Sequence, residues 1–486
     1  MALAPQFGSL IPTQTTQALA TNYLQWNNNG GANGIPDNFA DFAQQYLPEV
    51  YEAEVERYGN RTLNGFLKMV GAEMPMSSDQ VIWSEQNRLH ISYNDVDQVD
   101  GTGSLSVIDI NPNAVAGVSN VISINDTVVV LDPAGLEAKA IVTDSTLGAA
   151  GSITVQPLSD VSLATQGFAA NGLKVFVYGS DYSKGTSLEA GGPGNSAKRN
   201  SINPVMTQYV NSPIIIRDQF VVSGSDTAQI GWVNVATEDG TDGYLWYLKA
   251  ASETKLRFDD YLEMAMVEGE LNQVALTNLQ QPGTQGLFAA INERGNIETG
   301  FTAANGLAEF DNILKNLDSQ GAIEENMLFN NRQTSLDFDD MLAGLSAGAN
   351  GGVAYGLFEN SSDMALNLGF TGFRRGSYDF YKTDWKYLND ASTRGAINGV
   401  SSIEGVMVPA GTSTVYDQTL GTNIRRPFLH VRYRASQTDD RKMKQWVTGS
   451  VGGAQSSTLD AMEINFLSER CLITQGANNF VLFKGA

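Results

Sequence analysis

The sequence predicts an α+β protein in which a β-rich module is inserted into a larger domain that contains one long helix. Residues 100–190 contain several short runs of β-branched residues separated by turn residues, whereas residues 243–271 show helical periodicity. Beyond about residue 285, helices and strands mix without regular βαβ alternation. That mixing favours an α+β domain over a doubly wound parallel sheet.

Residues 1–36 are predicted to form an extended arm. They are rich in Gln, Thr and Asn, end in the run Asn27–Gly31 and lack hydrophobic periodicity. Such a segment needs another surface to become ordered, so it either lies across neighbouring subunits or is a frayed terminus. Apolar residues at helical spacing follow from Asp37 to Val70, and Pro48 marks a kink or a boundary there.

The β-rich module is predicted to be a small antiparallel barrel or sandwich. Turn residues such as Asp132–Gly135 and Asn171–Gly172 separate its apolar runs, which is typical of short strands joined by tight connections. The predicted strands are Val128–Leu131, Ala138–Val142, Ile153–Val155 and Leu173–Tyr178. A strand or elongated loop is predicted ahead of the module, over Gln80–Tyr93, and a Gly/Ser/Pro linker follows it at residues 184–200.

The longest predicted helix runs from Gly243 to Leu271. Phe258, Tyr261, Leu262 and Ala265 fall at the i, i+3, i+4 and i+7 positions of one helical face. At 1.5 Å per residue the helix would span roughly 40 Å. It is either the spine of a flat, elongated subunit or an ordinary long core helix.

The C-terminal part mixes predicted helices with predicted strands. The helices cover Leu307–Leu317 and Leu336–Leu345, and the Gly-rich stretch Gly344–Gly356 is predicted to be a loop. Leu429, Val431 and Tyr433 alternate with polar residues, as do Met462, Ile464 and Phe466, which indicates half-buried strands.

The charge balance argues against a nucleic-acid ligand. Acidic residues outnumber basic ones 53 to 30, giving a formal charge of −23, and only 17% of residues are charged. Such a surface repels phosphate backbones and lacks the Lys and Arg density that counterion release requires. If the protein encloses DNA, we expect it to act as a wall without sequence-specific binding.

The residues needed for most catalytic or metal sites are scarce. Cys471 is the one cysteine and His90 and His430 are the two histidines, so a thiolate cluster or an intrachain disulfide is excluded. No secretion signal and no bilayer-length apolar run is present, so a protein made in a cytoplasm, without a membrane partner, is expected. Cys471 is expected to be a small buried thiol, and each histidine to be structural or exposed.

No nucleotide-binding motif matches, and no cofactor is expected. Asp259–Asp260 and Asp337–Asp340 place carboxylates close together, which general acid–base catalysis would need. Solvated charge on helical faces is the more common use of such clusters in an acidic protein. No catalytic, cofactor-binding or metal-binding residue is therefore assigned.

Two arginine pairs stand out in a chain with few basic residues. They are Arg374-Arg375 and Arg425-Arg426, and they are the candidate contacts between subunits. Guanidinium groups bind carboxylates in a bidentate manner, so each pair is suited to clamp acidic side chains of a neighbouring copy. An intrachain ion pair and a solvated surface remain alternative interpretations.

Taken in order, these features resemble the major capsid proteins of tailed bacteriophages. Local sequences that carry the resemblance are Gly372–Tyr381, Val406–Gly411 and Ser468–Leu472, and the opening residues are most similar to short-tailed or crAss-like phages. The resemblance implies a tailed-phage capsid fold of four parts. These are an N-terminal arm with helices (1–75), an elongated loop carrying the β-barrel-like insertion (76–238), a peripheral domain with a spine helix (239–284) and an axial domain with returning C-terminal strands (285–486).

The resemblance also implies a structural protein and not an enzyme. Copies would assemble in the host cytoplasm into hexamers and pentamers of an icosahedral shell around double-stranded DNA. The protein would then be part of the virion. Portal, scaffolding and auxiliary capsid proteins would be its partners. The alternatives are an S-layer or other surface-lattice protein and, less favoured, a polysaccharide-degrading enzyme that uses two carboxylates.

Overall fold

The structure is a computed structural model. Its described residues form two compact units, one within Trp83–Tyr209 and the other within Met1–Ile82 and Val210–Ala486. The predicted arm and first helices lie outside the described residues, except for Leu67, which is helical and buried. The described residues are 67, 72–86, 88–100, 104–149, 151–185, 191–192, 195–196, 202–203, 206–225, 234–236, 242–272, 283–302, 304–321, 323–347, 371–390, 392–396, 402–410, 412–417, 422–451 and 456–485.

The smaller unit begins and ends on paired strands. After β1 (Ala72–Met76), strand β2 (Val81–Gln86) pairs with β11 (Met206–Asn211) in a two-stranded sheet. The rings of Trp83 and Tyr209 lie 5.9 Å apart across this pair. The chain therefore enters and leaves the inserted unit on neighbouring strands.

Six antiparallel strands of the smaller unit close into a barrel. Their order around the barrel is β3-β4-β7-β6-β5-β8. They are β3 (Ser92–Asp100), β4 (Ser106–Asp109), β5 (Asp126–Leu131), β6 (Glu137–Ser145), β7 (Ser152–Pro157) and β8 (Leu173–Ser180). After the barrel, β9 (Gly191–Gly192) and β10 (Asn195–Ser196) form a short antiparallel pair inside the predicted linker.

Alternation along the strands fills the barrel with apolar side chains. In β7, for example, Ile153 and Val155 are fully buried while their neighbours are partly exposed. Other fully buried interior residues are Val96, Ile108, Val128, Val130, Ala140, Val142, Leu173 and Val175. At one end, the Asp132 carboxylate accepts hydrogen bonds from the backbone N–H groups of Ala134 (2.8 Å) and Ala169 (2.7 Å). The barrel interior is thus a packed core, as expected for a barrel of this size.

The larger unit contains a five-stranded sheet built from distant parts of the chain. Its order is β1-β22-β24-β12, and β23 also pairs with β24. The strands are β12 (Ile214–Ser223), β22 (Leu429–Arg434), β23 (Lys444–Gly449) and β24 (Ala461–Thr474). The alternation at Met462–Phe466 predicted a half-buried strand, but β24 is buried on both faces from Ile464 to Thr474 because it lies at the centre of this sheet.

The long helix packs on this sheet. A short strand pair, β13 (Asn234–Ala236) with β14 (Asp242–Tyr244), leads into α1 (Leu245–Glu268), the helix predicted over Gly243–Leu271. Phe258 and Leu262 are buried against Ile464 and Phe466, with the two phenyl rings 5.7 Å apart. On the same face, Arg257 donates two hydrogen bonds to Asp218 Oδ2, at 3.1 and 3.2 Å.

A second, six-stranded sheet is mixed. Its order is β15-β25-β19-β16-β18-β17, with parallel pairs at β15/β25 and β16/β18. The strands are β15 (Asn296–Thr299), β16 (Glu325–Asn330), β17 (Thr371–Arg375), β18 (Tyr378–Asp384), β19 (Ile403–Pro409) and β25 (Val481–Lys484). A separate antiparallel pair is formed by β20 (Thr412–Asp417) and β21 (Thr422–Pro427).

Different cores cover the two faces of the six-stranded sheet. The helices are α2 (Leu287–Arg294), α3 (Gly306–Gln320), α4 (Arg332–Ala347) and the single turn α5 (Lys386–Asn389), with 3₁₀ turns at Arg394–Ala396 and Ala477–Asn479. Helices α3 and α4 contribute to a phenylalanine-rich cluster with Phe310, Phe338, Phe373, Phe380 and Phe483. Helix α2 and the end of α1 pack in the other cluster, which includes Ile291, Phe329, Trp385 and Leu482.

Candidate intersubunit contacts

A hairpin at the edge of the six-stranded sheet places the first arginine pair. Strands β17 and β18 are joined at Gly376 and Ser377, and Gly376 has φ 63°, a left-handed conformation that glycine adopts without strain. In the ladder, Arg374 lies opposite Asp379 and Arg375 lies opposite Tyr378. Because neighbouring residues of a strand point to opposite faces, the two arginines have different surroundings.

Arg375 forms an intrachain ion pair. Its Nε and Nη2 donate to the two carboxylate oxygens of Asp311 on α3, at 2.6 and 2.7 Å. The arginine side chain is 19% exposed. This is the bidentate geometry that the sequence analysis anticipated, but it holds α3 to the hairpin within one chain.

Arg374 is the more accessible member of the pair. Its side chain is 53% exposed, and its Nε lies 3.5 Å from Asp379 Oδ1 and 3.4 Å from the carbonyl oxygen of Gly376. Both distances are long for charge-assisted hydrogen bonds. The guanidinium is therefore placed where a second molecule can reach it.

The second pair lies on β21. Arg425 stands opposite Thr414 and Arg426 opposite Ser413 in the β20/β21 ladder. The side chains of both arginines lie outside the part of the chain that the structure describes. Their role as intersubunit contacts stays a prediction.

Other basic residues of the larger unit are engaged inside the five-stranded sheet. Arg470 is 8% exposed, and burial lowers its pKa. It donates to Ser468 Oγ and to the carbonyl oxygen of Lys442, both at 2.9 Å, and lies 3.6 Å from Glu73. On the other face of the sheet, Arg441 pairs with Glu469 at 2.8 Å. These cations stabilise the subunit itself.

Sequence reasoning missed a further pair of acidic residues in the larger unit. Glu298 is on β15, the first strand in the order of the six-stranded sheet, and Glu309 is on α3. Burial, and then the negative charge of Glu309, raise the pKa of Glu298. No signal for this pair exists in the sequence, because the two residues are eleven positions apart on different elements and neither belongs to a motif.

Two of the carboxylates that the sequence placed close together, Asp337 and Asp339, have ordinary structural contacts. Asp339 accepts a hydrogen bond from the buried Lys382 Nζ at 2.5 Å, and Asp337 accepts one from Gln333 at 3.2 Å. His430 is buried with Nδ1 3.2 Å from the carbonyl oxygen of Pro427, whereas His90 is exposed. Cys471 is buried. Among the described residues, no three His, Cys, Asp or Glu side chains converge as a metal site would require.

Within the described residues, no helix combines the length and the apolar character needed to cross a membrane.

Comparisons with known proteins gave loose structural similarities only. No protein-family model matches the chain, and no curated protein matches it. Similar solved structures include a chain of Microbacterium phage Oxtober96, with 9% identity, 92% of this chain and 98% of that one covered, and a TM-score of 0.40. A chain of Mycobacterium phage Bobi has 8% identity, coverage of 93% and 99%, and a TM-score of 0.38.

A third similar structure is the asymmetric unit of the bacteriophage PhiM1 mature capsid, with 7% identity, coverage of 97% and 99%, and a TM-score of 0.37. Superpositions this loose, at TM-scores of 0.40 and below, do not establish a common fold. The function of the chain therefore has to be inferred from its own residues and topology.

Proposed function

We propose that this chain is the major capsid protein of a tailed phage, a structural subunit whose work is association with copies of itself. The observation that carries the proposal is the order of its elements. An inserted β unit stands between paired strands, a 24-residue helix packs on a sheet, and a mixed sheet with a returning C-terminal strand follows. This is the order that the sequence resemblance to tailed-phage capsid proteins implies.

The accessibility of the sheet edges supports the proposal. Among the described residues, β12 has one paired side, since it pairs with β24 alone, and its Ile215 is 56% exposed. The strands β15 and β17 likewise end the six-stranded sheet. Unpaired strand edges favour pairing with another chain, and a protein that functions as an assembly can use them.

The finer parts of the proposal concern the assembly. Copies form hexamers and pentamers that close into an icosahedral shell, which encloses double-stranded DNA without sequence-specific binding. Portal, scaffolding and auxiliary capsid proteins are the expected partners, and the protein resides in the virion after assembly in the host cytoplasm. The net charge of −23 suits a shell that does not hold its DNA by attraction. The short-tailed or crAss-like assignment is part of the same proposal.

Electron microscopy of the purified protein, combined with sedimentation velocity over a range of concentrations, tests the proposal. Rings, capsomers or closed shells are expected, together with a sedimentation profile that shifts with concentration. Planar lattices would instead indicate the S-layer alternative. A 52.3 kDa monomer at every concentration would contradict the proposal and leave room for an enzyme.

A further inference from the structure

Four neighbouring strands of the barrel form an outward face. In the ladder, Val129 of β5 lies opposite Lys139 of β6 on one side and opposite Phe176 of β8 on the other. Leu158, just after β7, donates its backbone N–H to the carbonyl oxygen of Lys139 at 2.8 Å. Residues that pair directly across antiparallel strands point to the same side of a sheet. Both strand neighbours of Val129 are buried in the barrel interior, so this row of side chains points outward.

Three large side chains on this outward face reach solvent. Leu158 is 64% exposed, Tyr178 is 51% exposed and Phe176 is 38% exposed. The pairing of β5 with β8 skips Tyr178, which makes it the extra residue of a β-bulge, and a bulge redirects the side chain that it carries. Exposed apolar side chains that lie together mark a surface that another molecule covers.

Two opposite charges on β6 border these apolar side chains. Glu137 and Lys139 are both exposed and are two residues apart on one strand, so they point the same way and are separated by about 7 Å. Within the described part of the chain, neither side chain forms an ion pair or a hydrogen bond. The face therefore presents an anion and a cation that each lack a partner of opposite charge.

A face of this composition is complementary to itself. A two-fold axis between two such faces, crossing β6 midway between Glu137 and Lys139, places Glu137 of each copy opposite Lys139 of the other. Lys174, exposed on the same face of β8 at the level of Glu137, then lies opposite the Phe176 ring of the second copy and not opposite another cation. Two-fold contacts use the same surface on both subunits, so this one face is sufficient for the contact.

We propose that two copies of this chain meet through their barrels, with Glu137 of each copy bound to Lys139 of the other and with Leu158, Phe176 and Tyr178 packed between them. The inference rests on the self-association proposed above and names the surfaces that meet. The exposed parts of these side chains cover much less than the ~800 Å² per partner of a standard interface. The contact therefore joins subunits that other contacts also hold.

A charge swap on one chain tests the pairing. K139E makes both ion pairs of each contact repulsive and should raise the protein concentration needed for assembly at least about tenfold. The double variant E137K/K139E has the net charge of the unmodified chain and restores opposite charges across the two-fold axis, so it should recover most of the lost assembly. A double variant that assembles no better than K139E would show that the face binds something else and would overturn the inference.

The control for the change in net charge is K315E, at an exposed lysine of α3. It should assemble like the unmodified chain. Equal losses of assembly in K139E and K315E would overturn the inference.

The apolar part of the contact is tested by L158S. This substitution should also weaken assembly, because the leucine is covered by the second copy. L147S is the matched control, since Leu147 is 44% exposed but lies at the other end of the β6/β7 hairpin, roughly 20 Å away along the strands. Equal assembly of L158S and L147S would contradict the inference.

Urea unfolding separates the contact from subunit folding. Because the substituted side chains are exposed, each variant should unfold at the same urea concentration as the unmodified chain. Parallel losses of stability and assembly would contradict the inference. Failure of the unmodified chain to assemble would instead contradict the proposed function, so the two failures are distinguishable.

Discussion

Glu268, the last residue of α1, holds two side chains from a distant part of the chain. Its carboxylate accepts hydrogen bonds from the Tyr387 hydroxyl and from Arg394, whose Nη2 lies 2.6 Å from Oε2. The Arg394 guanidinium carbon also lies 5.2 Å from the centre of the Phe288 ring. Burial, followed by the bond to Glu268, raises the pKa of Tyr387, so the phenol remains a donor. One carboxylate thus connects the C-terminal end of α1 to the residues that pack on one face of the six-stranded sheet.

We expect E268Q to lower the free energy of unfolding by about 1.5–3 kcal/mol, since the three charge-assisted hydrogen bonds that Glu268 accepts become weaker in a partly buried site. Glu268 is 31% exposed and Arg394 is 25% exposed, so solvent screens the pair incompletely. Urea unfolding followed by circular dichroism measures the change. E270Q, at a nearby exposed glutamate with the same charge change, is the control. Equal effects of the two substitutions would show that the contact has no special role.

Burial of Cys471 has a chemical consequence. It raises the thiol pKa from 9.0 to about 12, although the nearby Arg432 acts in the opposite direction. The thiolate is the reactive form, so at pH 8 the folded chain has roughly a thousandfold less of it than an unfolded chain. Below pH 9 the shift hardly affects stability. Between pH 9 and 12 the thiol ionises only when unfolded, so stability falls as the pH rises.

We expect Cys471 to react with a disulfide reagent such as Ellman's reagent at least about a hundredfold more slowly in the folded chain than in guanidinium chloride. The absorbance of the released thiolate measures both rates, and the unfolded sample should yield one thiol per chain. Rapid, complete modification of the folded protein at pH 8 would contradict the buried position.

At the scale of elements, periodicity located most strands of the barrel but not its closure. The four predicted runs all lie within β5, β6, β7 or β8. Strand β3 was less visible, since it is largely polar and, among its described side chains, Val96 is the one that is fully buried. A strand that contributes so little apolar surface is defined mainly by the strands with which it pairs. The sequence alone does not show that pairing.

The long helix shows how far a periodic pattern can be trusted. Its predicted span, Gly243–Leu271, differs from the observed span by two or three residues at each end. Phe258 and Leu262 are buried as predicted, but Tyr261 is 41% exposed. Tyrosine tolerates such partial exposure, because its ring is apolar and its hydroxyl can remain in water.

The sequence indicated which arginines could form ion pairs, but it did not indicate which carboxylates they would bind. Scarcity singled out Arg374 and Arg375, but the pairing of Arg375 with Asp311 joins residues 64 positions apart. Glu309 on α3 raises the pKa of Glu298 on β15, and nothing in the sequence specifies that these two elements lie near each other. Long-range packing decides which charges meet, and it is the information that a single sequence lacks.

At the scale of the whole molecule, the division into two units predicts separable unfolding. The barrel has its own core of fully buried residues, including Ile153, and the larger unit has another around Phe310. We expect calorimetry to show two transitions. Truncating Ile153 or Phe310 to alanine should destabilise one transition each, by about 2–5 kcal/mol for Ile153→Ala and about 3–5 kcal/mol for Phe310→Ala.

The two substitutions act as mutual controls. Each should leave the other transition within about 0.5 kcal/mol of the unmodified chain, because distant substitutions act independently. A single transition that moves with both substitutions would show that the units unfold cooperatively.

The position of β24 in the chain determines when the five-stranded sheet can be completed during synthesis. This strand joins β12, β22 and β23, yet it is made about 250 residues after the inserted unit is complete at Tyr209. At roughly 5–20 residues per second, the ribosome needs roughly 13–50 s to reach it. During that interval the barrel can fold while the five-stranded sheet lacks its central strand. A nascent chain therefore completes this sheet only after residues 461–474 have been made.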